Sequence, residues 1–164
     1  MERVIVIGCP GAGKSTFSRR LRDRTGLPLH YLDRLWHKPD RTNVSTEEFD
    51  RSLGEILNTD RWIIDGNYQR TLEPRLIACD TVFFLDYPVE LCLEGARARV
   101  GAVREDMPWV ELEFDPEFRH WILDFPAAQR PRIYELLRQY GGEKTVFMFQ
   151  TRQEAEDYFK GRQL

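Results

Sequence analysis

The stretch RVIVIGCPGAGKS, Arg3 to Ser15, decides how this chain is read. Val4 to Ile7 are four apolar β-branched residues in a row, the pattern of a strand buried on both faces. The following GCPGAGKS matches GxxxxGK[ST] at every fixed position, through Gly8, Gly13, Lys14 and Ser15. The spacing has a chemical reason. Glycines let the backbone curl so that successive N–H groups face an anion, and the helix that follows adds roughly half a positive charge at its N-terminus. Lys14 then reaches the outer phosphates, and Ser15 is placed to ligate Mg²⁺. Gly8, Pro10, Gly11, Ala12, Gly13, Lys14, Ser15 and Thr16 are therefore expected to hold the phosphates of a nucleotide, ATP with Mg²⁺.

Outward from this loop, strand-length apolar runs alternate with stretches of helical spacing, as in a parallel sheet covered by helices. Strands are predicted at Arg3–Ile7, Leu29–Leu32, Trp62–Asp65, Thr81–Asp86 and Lys144–Phe149. A helix is predicted over Lys14–Arg24, with Phe17 and Leu21 on one face and an end near Gly26. Ser45 with Glu48, and Thr151 with Glu154, have capping-box spacing, so helices should start after Ser45 and Thr151. Pro88 suits a first helical turn, and Pro126 is expected to separate helical stretches around Pro116–Asp124 and Ala127–Tyr140. The expectation is an α/β P-loop NTPase fold: a five-stranded parallel sheet flanked by helices, in one domain over residues 1–164.

At 164 residues the chain can bury a substantial core. No segment is apolar for long enough to cross a bilayer or act as a signal peptide, so no membrane association is expected. Cys9, Cys79 and Cys92 form no CxxC pair and leave one thiol over in any disulfide scheme, which favours a reducing, cytoplasmic setting. Cys9 is read as a small loop filler, with a reactive thiol as the alternative. The formal charge is −3, from 24 basic and 27 acidic residues, so direct DNA binding is not expected. Four of the 24 basic residues are Lys and the other 20 are Arg; Arg suits phosphate recognition, and GC-rich coding would give the same bias.

RWIIDGNYQRTLEPRL, Arg61 to Leu76, brings an apolar strand to Asp65 and Gly66 and follows it with Arg70 and Arg75. An acid at a strand end beside the loop can hold Mg²⁺ or its waters, and nearby arginines can grip a second anion. WIIDGNYQRTL resembles the strand and DGFPR segment of adenylate kinases, with Asn67 and Tyr68 in place of Phe and Pro. CDTVFFLDYPVELCLEGARARV resembles that family's next strand and helix. TGLPLHYLDRLWHKP, WIIDGNYQRTLEPRL, REDM and FRHWILDFP together resemble, in order, the bacterial topology modulation proteins, a small adenylate-kinase-like group.

The resemblance implies an adenylate-kinase-like arrangement with a central loop strand and a short lid at about 100–115, free of any zinc-binding cysteine cluster. It places Asp65 beside Mg²⁺ with Ser15, and Arg70 at the phosphate-binding arginine. Asp86 is a second strand-end acid, read as a metal candidate or as structural. Asp33, after the second strand, opens an acceptor segment over about 33–60. It is read as a base or hydroxyl ligand, with helix capping as the alternative. Asp33 would repel an acceptor phosphate. Arg34 is a candidate for the acceptor or for Asp33, Trp36 for packing and His37 for the surface. Arg97, Arg99, Arg104 and Arg119 surround the lid, Arg99 toward the nucleotide and Arg104 the strongest for the transferring phosphoryl group. Trp109, Phe114, Phe118 and Trp121 are expected to pack. The resemblance places Gln150 or Thr151 near the base, capping being the other role for Thr151. The expected activity is transfer of the γ-phosphoryl group of ATP to a small acceptor: a nucleotide, a nucleoside or a hydroxyl metabolite. The alternative is a nucleotide-dependent regulator of DNA topology or of a protein partner, without kinase activity.

Overall fold

The computed structural model describes residues 1–161. In chain order the elements are β1 (Arg3–Gly8), α1 (Lys14–Thr25), β2 (Leu29–Tyr31), α2 (Leu32–Trp36), α3 (Thr46–Leu57), β3 (Trp62–Asp65), α4 (Leu72–Ala78), β4 (Thr81–Leu85), α5 (Val89–Ala98), α6 (Pro116–Ala128), α7 (Arg130–Tyr140), β5 (Thr145–Phe149) and α8 (Arg152–Gly161). The five strands are parallel and ordered β2-β3-β1-β4-β5. Val4–Ile7, Ile63, Ile64 and Val82–Leu85 are buried without alternation, because helices cover both faces of the sheet. Val6 pairs with Asp65, Tyr31 with Asp65 and Gly8 with Leu85, so the carboxyl ends of the inner strands share one edge. From β1 the chain passes to β2 and β3 on one side and then crosses to β4 on the other, which makes this edge the switch point at which open α/β sheets form a crevice.

Local sequence explains the helices. Ser45 Oγ accepts from the Glu48 N–H at 3.1 Å and starts α3. At α8 the box is reciprocal: Thr151 Oγ1 accepts from Glu154 N at 3.2 Å, and Glu154 Oε2 accepts from Thr151 N at 3.4 Å. Phe17 of α1 sits in an aromatic cluster with Phe83, Phe149 and Phe159 that fixes the helix against β4, β5 and α8. No helix among the described residues is long and apolar enough to cross a membrane.

Three expectations are corrected. The second strand stops at Tyr31, so Leu32 and Asp33 lie in the first turn of α2. Pro88 is the N-cap of α5 and stands just before its first turn. Pro126 does not separate two helices; α6 runs through it to Ala128, and the break falls at Gln129. A proline there removes the N–H that would bond the Ile122 carbonyl, and the Cys9 thiol faces that carbonyl at 3.9 Å.

Candidate active site

The glycine loop is built as its sequence requires. Gly11 has φ +85°, and a Cβ there would lie 2.0 Å from the Cys92 carbonyl oxygen. Gly95 of α5 meets it from the other side, since a Cβ on Gly95 would lie 2.1 Å from the Gly11 oxygen. The loop thus packs backbone to backbone on α5, which fixes its curl. Gly8 N–H donates to Asn67 Oδ1 at 3.1 Å, and Asn67 Nδ2 donates to Gln129 Oε1 at 3.3 Å. Asn67, which replaces the Phe of the related motif, therefore ties the loop to the α6–α7 junction.

Pro10 to Thr16 line a cavity of about 1310 Å³ at the carboxyl edge of the sheet. Gly8 lies beneath it, and its carbonyl accepts Lys14 Nζ at 3.0 Å, with the Cys9 carbonyl at 3.2 Å. Ser15 Oγ donates to Asp65 Oδ2 at 2.7 Å. Asp65 is buried, and desolvation pushes its carboxyl up to about 6 against the opposing pull of Lys14 and Ser15; Asp33 and Asp106 push the same way as burial. A hydroxyl and a carboxylate in contact at a helix N-terminus are hard oxygen donors that suit Mg²⁺, which takes its remaining ligands from water and phosphate. Among the described residues no group of three or more His, Cys, Asp or Glu is placed to hold a metal ion.

The opposite wall comes from α2, the turn after β3 and the lid. Asp33 does not cap α2; its Oδ1 accepts from Tyr68 Oη at 2.7 Å. Tyr68 has φ +32°, an unusual backbone for a bulky residue, and its ring stacks on Phe49 at 5.2 Å. Burial, then the Asp33 charge, raises its phenol. Trp36, His37, Arg41, Asn43 and Trp109 complete this end of the cavity. The His37 and Trp109 rings meet edge to face at 5.0 Å.

Residues 101–115, the segment read from the sequence as a lid, form neither helix nor strand. Gly101 N–H donates to the Glu111 carbonyl at 2.7 Å and closes the segment on itself. Glu105 carries it to the body: its side chain accepts from Arg22 at 2.5 Å, and its carbonyl accepts from Arg34 Nε at 2.7 Å. Arg104 lies in the cavity, 3.8 Å from Asp106 and 3.6 Å from Glu111. Arg99 joins it there over the Phe118 ring at 5.4 Å, and burial, then the Arg104 charge, lowers its guanidinium.

The structure brings Lys14, Ser15, Asp33, Asp65, Arg99 and Arg104 to one cavity, and it leaves others out. Arg70 does not line it: the side chain is 56% exposed and holds Asp50 with two hydrogen bonds, at 3.1 and 2.6 Å. In the DGFPR pattern the arginine is fifth, and counting from Asp65 the fifth residue is Gln69, which does line the cavity. Arg75 is buried and donates to the carbonyls of Gly66, Asn67, Tyr68 and Thr71; it shapes the turn and does not line the cavity. Gln150 lies outside the cavity, its N–H held by Glu154 at 2.7 Å, while Arg152 and Arg20 line that end. Arg97 and Arg119 are also outside. Asp86 is structural: despite burial it is held below the usual carboxylate range by Arg130, at 2.8 Å through two bonds, and by Tyr134. Cys9 is the filler, its thiol raised by a hydrogen bond with Cys92 and by burial. Tyr68 carries no motif of its own, whereas Asp106 was legible through its spacing from Arg104 in the REDM segment.

No family model matches the chain. Two adenylate kinase sequences from Thermotoga neapolitana are each 28% identical to it over 91 residues, 54% of this chain. The match spans about 40% of those enzymes' length. Among solved structures, shikimate kinase from Acinetobacter baumannii, in complex with shikimate, superposes with a TM-score of 0.62 at 18% identity, covering 98% of this chain and 92% of that one. Shikimate kinase from Bacteroides thetaiotaomicron gives 0.57 at 15% identity, covering 97% and 94%. With the five-stranded parallel sheet and the loop at its carboxyl edge, these neighbours establish a P-loop NTPase fold.

Proposed function

We propose that this chain is an ATP- and Mg²⁺-dependent phosphotransferase that moves the γ-phosphoryl group to a hydroxyl of a small acceptor. The observation that carries the reading is one cavity with the Lys14 loop and the Ser15–Asp65 pair at one end and Asp33, held by Tyr68, at the other. Its volume exceeds the roughly 300–1,000 Å³ of a single small-ligand site, which suits two substrates side by side. The names of the relatives, adenylate kinase and shikimate kinase, support the same class of reaction.

Lys14 would leave the loop carbonyls for the outer phosphates, and Arg99 and Arg104 would neutralise charge on the transferring group. Ser15, with Asp65 directly or through water, would hold Mg²⁺, which would supply charge neutralisation for the outer phosphates. Asp33 takes the acceptor hydroxyl proton as the new O–P bond forms and the bond to the bridging oxygen breaks, leaving ADP. The lid, closed over this space, keeps water from competing as acceptor.

The test is coupled detection of ADP release across nucleoside monophosphates, nucleosides and hydroxyl metabolites. Acceptor-stimulated turnover that Lys14→Ala abolishes is expected. Only slow ATP hydrolysis with every acceptor, unchanged in Lys14→Ala, would contradict it.

A further inference from the structure

Resting on that phosphotransfer reading, we infer that Glu105 is a positioning residue: it clasps the lid to α1 and α2, sets its neighbours Arg104 and Asp106 over the cavity, and so favours transfer to the acceptor over transfer to water. Glu105 does not line the cavity, whereas Arg104 and Asp106 on either side of it do. Its effect on the chemistry passes through them. The lid has no helix or strand to fix its place, so its side-chain bonds to the body must do so. Several of its polar contacts stay inside it: Gly101 N–H meets the Glu111 carbonyl, and Arg104 meets Asp106 and Glu111. Among the described residues, its hydrogen bonds to α1 and α2 are both made by Glu105, through the carboxylate to Arg22 and through the carbonyl to Arg34. Trp109 adds a ring contact with His37 at the end of α2. Lys14 and Ser15 begin α1, and Asp33 lies in α2 beside Arg34. One residue thus joins the elements that carry both ends of the site to the segment that covers them.

Two buried donors next to the clasp show which way it pulls. Tyr31 Oη and Arg19 Nη1 have no hydrogen-bond partner among the described residues. Arg19 and Glu105 both face the Tyr31 hydroxyl: burial pushes the phenol up to about 12, with Arg19 pulling it down and the Glu105 charge pushing it further up. A buried donor without a partner costs free energy, and a hydroxyl bonds well to a carboxylate. Movement of the lid that brings Glu105 onto Tyr31 Oη relieves that cost, so the clasp favours a tighter closure. A tighter lid holds Arg104 at the transferring group and keeps water out.

The experiment compares the wild-type chain with Glu105→Gln, Arg22→Met and the double variant, each with a wild-type melting curve to show that it folds. Amide hydrogen exchange of the unliganded chain reads the lid. Residues 101–115 should exchange about fivefold faster in each variant, the scale of a partly exposed ion pair, while α5 and α6 exchange as before. ADP release reads the chemistry, with AMP, adenosine, shikimate and myo-inositol as acceptors and water as the competitor. The ratio of acceptor-stimulated to acceptor-free release should fall about fivefold with KM for ATP unchanged, and the double variant should lose no more than either single one. A carboxylate with a merely structural role would leave that ratio where it was. An unchanged ratio or unchanged lid exchange in Glu105→Gln overturns the inference and leaves the phosphotransferase reading standing, as does a multiplied loss in the double variant. No stimulation of wild-type ADP release by any acceptor would instead sink that reading, and this role with it.

Discussion

The two ends of the cavity are built in different ways. The nucleotide end is a contiguous run of residues, Gly8 to Thr16, shaped by its own glycines and by close backbone contact with α5. The acceptor end is assembled from α2, the turn at Gly66–Gln69 and the lid, and side chains hold it: Tyr68 on Asp33, Arg75 on the turn carbonyls, Arg104 between two acids. A backbone cradle reads any triphosphate, whereas a side-chain pocket changes with each substitution. On the proposed function, the chemistry common to many P-loop proteins sits at the first end, and the identity of the substrate at the second.

The comparison breaks most visibly at Lys14. Lys14→Ala is expected to lower acceptor-stimulated turnover about 10³-fold, the scale of losing one preorganised charge on a transferring group, as measured by ADP release. Next is Asp65. Asp65→Asn should lower turnover about 10²-fold and raise the Mg²⁺ concentration needed for half-maximal rate. The same variant should be more stable than the parent. Burial lifts the Asp65 carboxyl from 3.8 to about 6 in the folded chain. The folded state thus holds this proton more tightly than the unfolded chain does, and stability falls as pH rises from about 4 to about 6. Above pH 6 the buried charge costs up to roughly 3 kcal/mol. Denaturant melts in EDTA should show that slope in the parent and lose it in Asp65→Asn. The smallest effect belongs to Tyr68→Phe, which removes one hydrogen bond to Asp33. About a fivefold fall in kcat is expected, with KM for ATP unchanged; a change confined to ATP affinity would place Tyr68 at the wrong end.

Most of the architecture was legible because it is written locally. Strand-length apolar runs, unbroken and β-branched at Val4–Ile7, specified parallel strands, and capping boxes at Ser45 and Thr151 marked helix starts that Ser45 and Glu154 then make with hydrogen bonds. Pro126 was misread because a proline removes one helical hydrogen bond without dictating a break; α6 continues, and the freed carbonyl faces Cys9. At the site, Lys14 and Ser15 were legible from the glycine-loop motif and Asp65 from its strand-end position. Arg70 was misplaced by one residue: the fifth position counted from Asp65 is Gln69, which lines the cavity, whereas Arg70 turns outward to Asp50. Tyr68 was seen only as a departure from DGFPR; its contact with Asp33 spans 35 residues and depends on a positive φ that no local pattern announced.

The central claim is that Asp33 serves an acceptor while the loop serves ATP. The measurement is acceptor-stimulated ADP release by Asp33→Asn beside its affinity for a non-hydrolysable ATP analogue. The expected result is a loss of stimulated turnover of about 10² to 10⁴ with analogue affinity intact. Undiminished stimulated turnover in Asp33→Asn would contradict the account.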